Sequence, residues 1–209
     1  MSRERLETVA VAIFAKAPVA GFAKTRLIPR LGERGAADLQ RKLIERAVRV
    51  AVEAGLGPIS LWCLPSRDHE VFTALERRHH VELQDQLKDA DLGARMHHAF
   101  VTLAQTRPVL LMGTDCVALT PRHLERSAEL LCGHVGAVII PVEDGGYILI
   151  GLKRPSFELF ADMPWGHANV MARTRAKAKE AGLTLAELPP LWDIDRVADY
   201  ERAASDGLI

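Results

Sequence analysis

Short apolar runs alternate with longer amphipathic stretches along the whole chain, the pattern left by strands and helices taking turns. Residues 9–15, Val-Ala-Val-Ala-Ile-Phe-Ala, have no polar alternation, as in a strand buried on both faces of a parallel sheet. From 33 to 54, the positions Leu39, Leu43, Ala47, Val50 and Ala54 recur at helical spacing, and Gly55 supplies a stop. A strand over 59–64 closes at Pro65, and a helix over 68–77 and a strand near 81–83 come next. Leu92, Met96, Ala99 and Leu103 mark one face of another helix, ahead of a buried strand at 108–112. Thr120 and Pro121 form an N-cap and first helical position for a helix to about 131. Strands over 136–142 and 147–152, a helix over 168–181, a strand over 183–188 and a helix after Asp195 complete the pattern.

This alternation predicts a three-layer αβα fold, with helices on both faces of a mostly parallel, mixed sheet. No linker, low-complexity segment or repeat divides residues 1–209, so one domain is expected. In open sheets of this kind ligands sit beyond the carboxyl ends of the strands. The residues just after strands therefore carry the functional question.

Composition narrows the partners. Lys plus Arg and Asp plus Glu each number 27, and this balance argues against nucleic acid or an anionic membrane as a general partner. No apolar run is long enough to span a bilayer, and residues 1–7 have mixed charge without a signal-peptide cleavage pattern. Cys63, Cys116 and Cys132 are odd in number, far apart and form no CxxC pair, as expected for a reducing cytoplasm.

After the first strand, residues 16–27 place Lys16, Lys24 and Arg26 around Gly21. Cations and backbone amides at such a turn suit a di- or triphosphate. The glycine spacing is neither that of a P-loop nor the GxGxxG dinucleotide pattern. Strand 108–112 ends in Gly113-Thr114-Asp115-Cys116, where a carboxylate at a strand tip is placed to hold Mg²⁺ or Mn²⁺ against substrate phosphates. Glu143-Asp144-Gly145-Gly146 reads equally as a hairpin turn and as bare backbone wrapped on a substrate, with Asp144 as general base or second metal contact. Asp193 and Asp195, at i and i+2, share a side if extended, so that one can join the metal while the other caps the last helix. Trp165 offers a plane to cover a ligand or a buried structural ring. The pairs His79-His80 and His97-His98 diverge in direction and read as surface or core residues, and no GxSxG elbow is present.

In this order the motifs resemble the bacterial arsenosugar-biosynthesis-type glycosyltransferases of the GT-A nucleotide-diphospho-sugar transferase superfamily. The resemblance runs from Phe14 to about Tyr200. It is carried by Phe14-Ala-Lys16-Ala-Pro18, Gly21, Lys24-Thr-Arg-Leu27, Asp91-Leu-Gly93, Arg95-Met96, Gly113-Thr-Asp-Cys116, Asp144-Gly-Gly-Tyr147 and Asp193-Ile-Asp195. Val117, Ala90, Gly166, His167 and Arg196 depart from the family's pattern. The resemblance implies a Rossmann-like GT-A fold, a nucleoside-diphosphate-sugar donor near Lys16, Lys24 and Arg26, and a small-molecule acceptor. It further implies Asp115 and Asp195 on the cation, Asp144 facing the acceptor, and Gly145, Gly146 and Trp165 in substrate binding. The alternatives are a nucleotidylyltransferase using a nucleoside triphosphate and, behind it, a nucleotide-binding module without catalysis. The oligomeric state, sugar, nucleobase and stereochemical outcome have no sequence signal.

Overall fold

The computed structural model describes Leu6 and residues 8–209, so most of the mixed-charge segment at 1–7 lies outside the described residues. In chain order the elements are β1 (Ala10–Lys16), a single 3₁₀ turn (Thr25–Leu27), α1 (Ile28–Glu53), β2 (Ile59–Leu64), α2 (Glu70–His79), β3 (Glu82–Asp85) and α3 (Leu92–Leu103). They continue as β4 (Val109–Met112), α4 (Pro121–Cys132), β5 (Ala137–Pro141), β6 (Tyr147–Leu152), α5 (Val170–Glu180), β7 (Leu185–Glu187) and α6 (Val197–Ser205).

Among the described residues the strands form one sheet in the order β3-β2-β1-β4-β6-β5-β7. All pairings are parallel except those of β6, which runs antiparallel to both β4 and β5. The mixed, mostly parallel αβα architecture expected from the alternation is the one found. From β1 the chain passes first to β2 on one side and only later to β4 on the other, so the order reverses between β1 and β4. That reversal opens a crevice at the carboxyl ends of these two strands.

The unbroken apolar run of β1 is explained by burial on both faces. Val11, Ile13 and Ala15 pack with α1, α2 and α4, through residues such as Ile44, Phe72 and Leu124. Ala10 and Ala12 pack on the opposite face with Met96 and Phe100 of α3 and Met171 of α5. A third cluster joins Leu39 and Leu43 of α1 to Val117, Ile194 and Ala203, binding α6 to the main body.

Several boundaries differ by a residue or more from the pattern-based expectation, and three of them have a physical reason. The helix expected at 33 starts at Ile28 and is broken at Gly32 (φ 70°, ψ 169°), a conformation open to glycine because it has no Cβ. The second helix lies two residues further along, because His69 rather than a residue before 68 accepts from the Val71 amide at 3.3 Å. The last strand shrinks to Leu185–Glu187, since it is an edge strand paired on one side only. No helix among the described residues is long and apolar enough to cross a membrane.

Phe100 is fully buried and stacks on Phe160 with ring centroids 5.7 Å apart. Phe100→Ala is expected to cost about 3–5 kcal/mol of unfolding free energy. Urea denaturation checks this, and a loss below about 1 kcal/mol would show that this face of the sheet can collapse around the cavity.

Candidate active-site cleft

Lys16 ends β1 with an exposed side chain whose ammonium lies 3.9 Å from the Phe22 ring centroid. Gly21 turns the loop at φ 76°, and a Cβ there would face the Glu33 carboxylate at 3.6 Å. Its place is in the turn, and it does not line the cavity described below. Lys24 adopts a left-handed conformation (φ 49°) that drives its side chain inward, where it is only 6% exposed. The ammonium donates to the Ile194 carbonyl at 2.6 Å and pairs with Asp115 Oδ2 at 2.9 Å. With three donors on the ammonium, one remains for a ligand. Arg26, largely exposed, pairs with Asp195.

The tip of β4 is held from several sides. Thr114 Oγ1 donates to Asp115 Oδ1 at 3.1 Å, and the Ile194 amide donates to the Asp115 carbonyl at 2.9 Å. Gln40 of α1, buried in an otherwise apolar stripe, donates to the Lys16 carbonyl at 3.1 Å and reaches Thr114 Oγ1 at 3.4 Å. It ties the ends of β1 and β4 together. Arg46 donates to the carbonyls of Val117 and, at 3.3 Å, Leu119. Val117 itself is fully buried in the third core cluster. Burial pushes the neighbouring Cys116 thiol up to about 12, which leaves it neutral and unreactive.

Residues 143–146 form the turn between β5 and β6, and the Gly146 amide donates to Asp144 Oδ1 at 3.2 Å. The segment is a tight turn, and Asp144 and Gly146 also line a cavity. Gly145 (φ 94°) serves packing instead, because a Cβ would sit 2.0 Å from the Ala168 carbonyl oxygen. Trp165 is half-buried, edge-on to Tyr147 with centroids 6.4 Å apart, and it lines the same cavity. Burial raises the Tyr147 phenol above its ordinary value and keeps it neutral.

The segment after β7 runs on past the sheet, paired by Leu191 with Pro141 and Glu143, and brings Asp193 and Asp195 back to the tip of β4. Neither of these acids caps the last helix, as the sequence suggested one would. Asp199 does so from the first turn of α6, accepting from the amides of Asp195 at 3.1 Å and Arg196 at 2.7 Å. Arg196 does not pair with Asp195 either, since Arg26 holds that carboxylate. Asp193 is pushed up to about 6, chiefly by burial and then by the charges of Asp144, Asp115 and Asp195. Four carboxylates are therefore near enough to feel one another's charge.

Two adjoining cavities result. One, of about 480 Å³, is lined by Lys16, Lys24, Arg26, Gln40, Thr114 and Asp115. The other, of about 430 Å³, is lined by Asp144, Gly146, Tyr147, Trp165, Trp192 and Asp193. Arg26, Leu92 and Asp195 border both. The histidine pairs play no part: His97 packs on Phe157 and Phe160, and His98 on Trp62.

No group of three or more His, Cys, Asp or Glu side chains among the described residues is close enough to enclose a metal by itself. Mg²⁺ and Mn²⁺ sites on phosphate substrates need less, often one or two carboxylates completed by phosphate oxygens and water. Asp115 and Asp195, which both line the first cavity, are oxygen donors of that kind, and each is also ion-paired, to Lys24 and to Arg26. Gln40, Thr114 and Trp192 are the site residues that sequence reasoning missed. The available signal for Gln40 was a polar residue next to Leu39 and between the apolar positions of α1.

The whole fold is that of the nucleotide-sugar transferases and nucleotidyltransferases. A protein from Desulfovibrio desulfuricans G20, provisionally assigned as a nucleotide-diphospho-sugar transferase, superposes with a TM-score of 0.81 at 28% identity over 91% of this chain and 84% of its own. A nucleotidyl transferase from Methanothermobacter thermautotrophicus gives 0.64 at 18% identity, covering 96% of this chain and 97% of the other. The 4-diphosphocytidyl-2C-methyl-D-erythritol synthase of Anaerococcus prevotii DSM 20548 gives 0.66 at 9% identity, with 100% of both chains covered. None of the curated proteins matches this chain. Residues 47–167 match the model of DUF2064, an uncharacterised protein conserved in bacteria, and the chain belongs to that family.

Because Asp193 is raised in the folded state, its favourable contribution is complete below about pH 4 and lost as the pH rises through about 6. Asp193→Asn in EDTA is expected to raise the Tm by about 2–6 °C at pH 8 and by about half as much at pH 5. Equal shifts at both pH values in a thermal melt would show that Asp193 does not feel its neighbours' charge.

Proposed function

We propose that this chain is a glycosyltransferase that uses a nucleoside-diphosphate-sugar donor, a small-molecule acceptor and Mg²⁺ or Mn²⁺. The observation that carries this reading is the pairing of loop cations with strand-tip acids, Lys24 with Asp115 and Arg26 with Asp195, around the cavity at the β1–β4 reversal. The narrower resemblance to the arsenosugar-type enzymes supports it through the same motifs.

In this reading the donor's diphosphate lies in the 480 Å³ cavity. Lys16 and Arg26 are exposed and bind its oxygens, and Lys24 offers its remaining donor. Asp115 and Asp195 would hold the divalent cation, which would offset the charge that builds on the leaving diphosphate. The acceptor hydroxyl approaches from the second cavity, and Asp144 takes its proton. The acceptor oxygen bonds to the anomeric carbon as the bond from that carbon to the diphosphate oxygen breaks, and the diphosphate leaves with the electron pair. Trp165 and the Gly146 backbone shape the acceptor's place, and Gly145 lets the 145–168 contact close.

Nucleotidyl transfer from a nucleoside triphosphate is the alternative, and the structural neighbours support it about as well. The same cations would then face an α-phosphate under attack. Phe14-Ala-Lys-Ala-Pro18, in place of a glycine-rich run, is what leans toward the sugar donor. A non-catalytic nucleotide-binding module ranks last, because the acids Asp115, Asp144, Asp193 and Asp195 all remain.

A thermal-shift panel of UDP-, GDP- and ADP-sugars and free triphosphates, with and without Mn²⁺, separates these readings. A nucleotide sugar at about 100 times its Kd is expected to add about 2.7 kcal/mol of stability, with the Mn²⁺-dependent part lost in Asp115→Asn. Stabilisation by triphosphates alone would transfer the assignment to nucleotidyl transfer. Arg26→Ala is expected to weaken nucleotide affinity about tenfold, the loss of one charge-assisted contact.

A further inference from the structure

The two halves of the cleft have opposite electrical character. Apart from the shared Arg26–Asp195 pair, the donor half sets Lys16 and Lys24 against Asp115. The second half sets Glu143, Asp144, Asp193 and Asp199 against Arg196 and the imidazole of His167. Not all of these acids are free. Glu143 is held by Arg202 at 3.0 Å, and Asp199 by the two amides at the start of α6. Asp144 receives the Gly146 amide, and neither it nor Asp193 has an ion-pair partner among the described residues. Three aromatic rings, Tyr147, Trp165 and Trp192, line the same space, and one already shows its affinity for a cation: the Arg202 guanidinium sits 4.2 Å from the Trp192 ring centroid.

From this juxtaposition we infer that the 430 Å³ half of the cleft takes a hydroxyl compound without phosphate or carboxylate, and prefers one that carries a cationic amine. The inference rests on the division of the cleft into donor and acceptor halves. A phosphate or carboxylate there would meet two unpaired carboxylates at short range, where the repulsion is at its strongest. An ammonium meets the same carboxylates with aromatic faces beside them, the combination that recognises amines. The consequence separates two chemistries. Loading a nucleotide onto a small acceptor commonly uses that acceptor's own phosphate or carboxylate, whereas transfer of a sugar needs only a hydroxyl.

Tryptophan fluorescence reads this half selectively. Of the three tryptophans, Trp165 and Trp192 line it, whereas Trp62 is 1% exposed within the sheet. The probes are glucamine, glucitol, gluconate and glucitol 6-phosphate, which share a six-carbon polyol frame and run from cation through neutral to dianion. Titrated at pH 7.5, with and without Mg²⁺, glucamine is expected to bind at least about fivefold more tightly than glucitol, and both anions more weakly than glucitol. In Asp193→Asn, or in Asp144→Asn if the first variant does not fold, the preference of glucamine over glucitol shrinks. Binding of gluconate or glucitol 6-phosphate as tight as that of glucitol overturns the inference, as does silence toward all four. Failure of every nucleotide to stabilise the protein would remove the donor reading instead, and would leave the order among the polyols standing.

Discussion

The buried ammonium of Lys24 joins three parts of the chain that are far apart in sequence: the loop after β1, the tip of β4 and the extended segment before α6. A lysine almost shut off from water is costly unless its charge is matched, and here Asp115 and the Ile194 carbonyl match it. Breaking that pairing would leave Asp115 without its cation and the C-terminal segment without one of its anchors. The rest of the cleft depends on this tie, because it fixes the spacing between the phosphate-facing loop and the acids.

Around it, the fold supplies redundancy. Gln40 spans the ends of β1 and β4 from the helix behind them, and Arg46 pins the chain beyond Cys116 by its carbonyls. The antiparallel β6 follows from the short turn at Glu143–Gly146, which returns the chain directly beside β4 rather than through a helix. Because β4 and β5 are both antiparallel to β6 and so run the same way, the turn after β5 puts Asp144 at the same end of the sheet as Asp115.

Several positions at which the sequence departs from the arsenosugar-type pattern it resembles have a plain structural setting. Val117 fills a pocket in the third core cluster, and its carbonyl is what Arg46 grips. Gly166 and His167 sit exposed on the rim of the acceptor half, where they change the border rather than the acids. Arg196 gives its amide to Asp199 and leaves Asp195 to Arg26, so the acid beside it keeps its place in the cleft.

The periodicity of apolar residues was enough to determine the layers, the position of nearly every element and the strand ends at which chemistry-bearing residues cluster. Burial on one or two faces is a local property and leaves a local trace. Lys16, Lys24, Arg26, Asp115, Asp144 and Asp195 could be singled out as candidates for the same reason, since each follows a strand or lies in the turn between two, and the structure gathers them around the two cavities. Which acid meets which cation was decided only by the tertiary structure. Lys24 and Asp115 lie 91 positions apart, and Arg26 and Asp195 169; no spacing rule connects them. The helix cap from Asp199, the bridging role of Gln40 and the opposite charge of the two cavities likewise depend on which strands become neighbours. Strand order is set by long-range packing, and a single sequence carries no direct record of it.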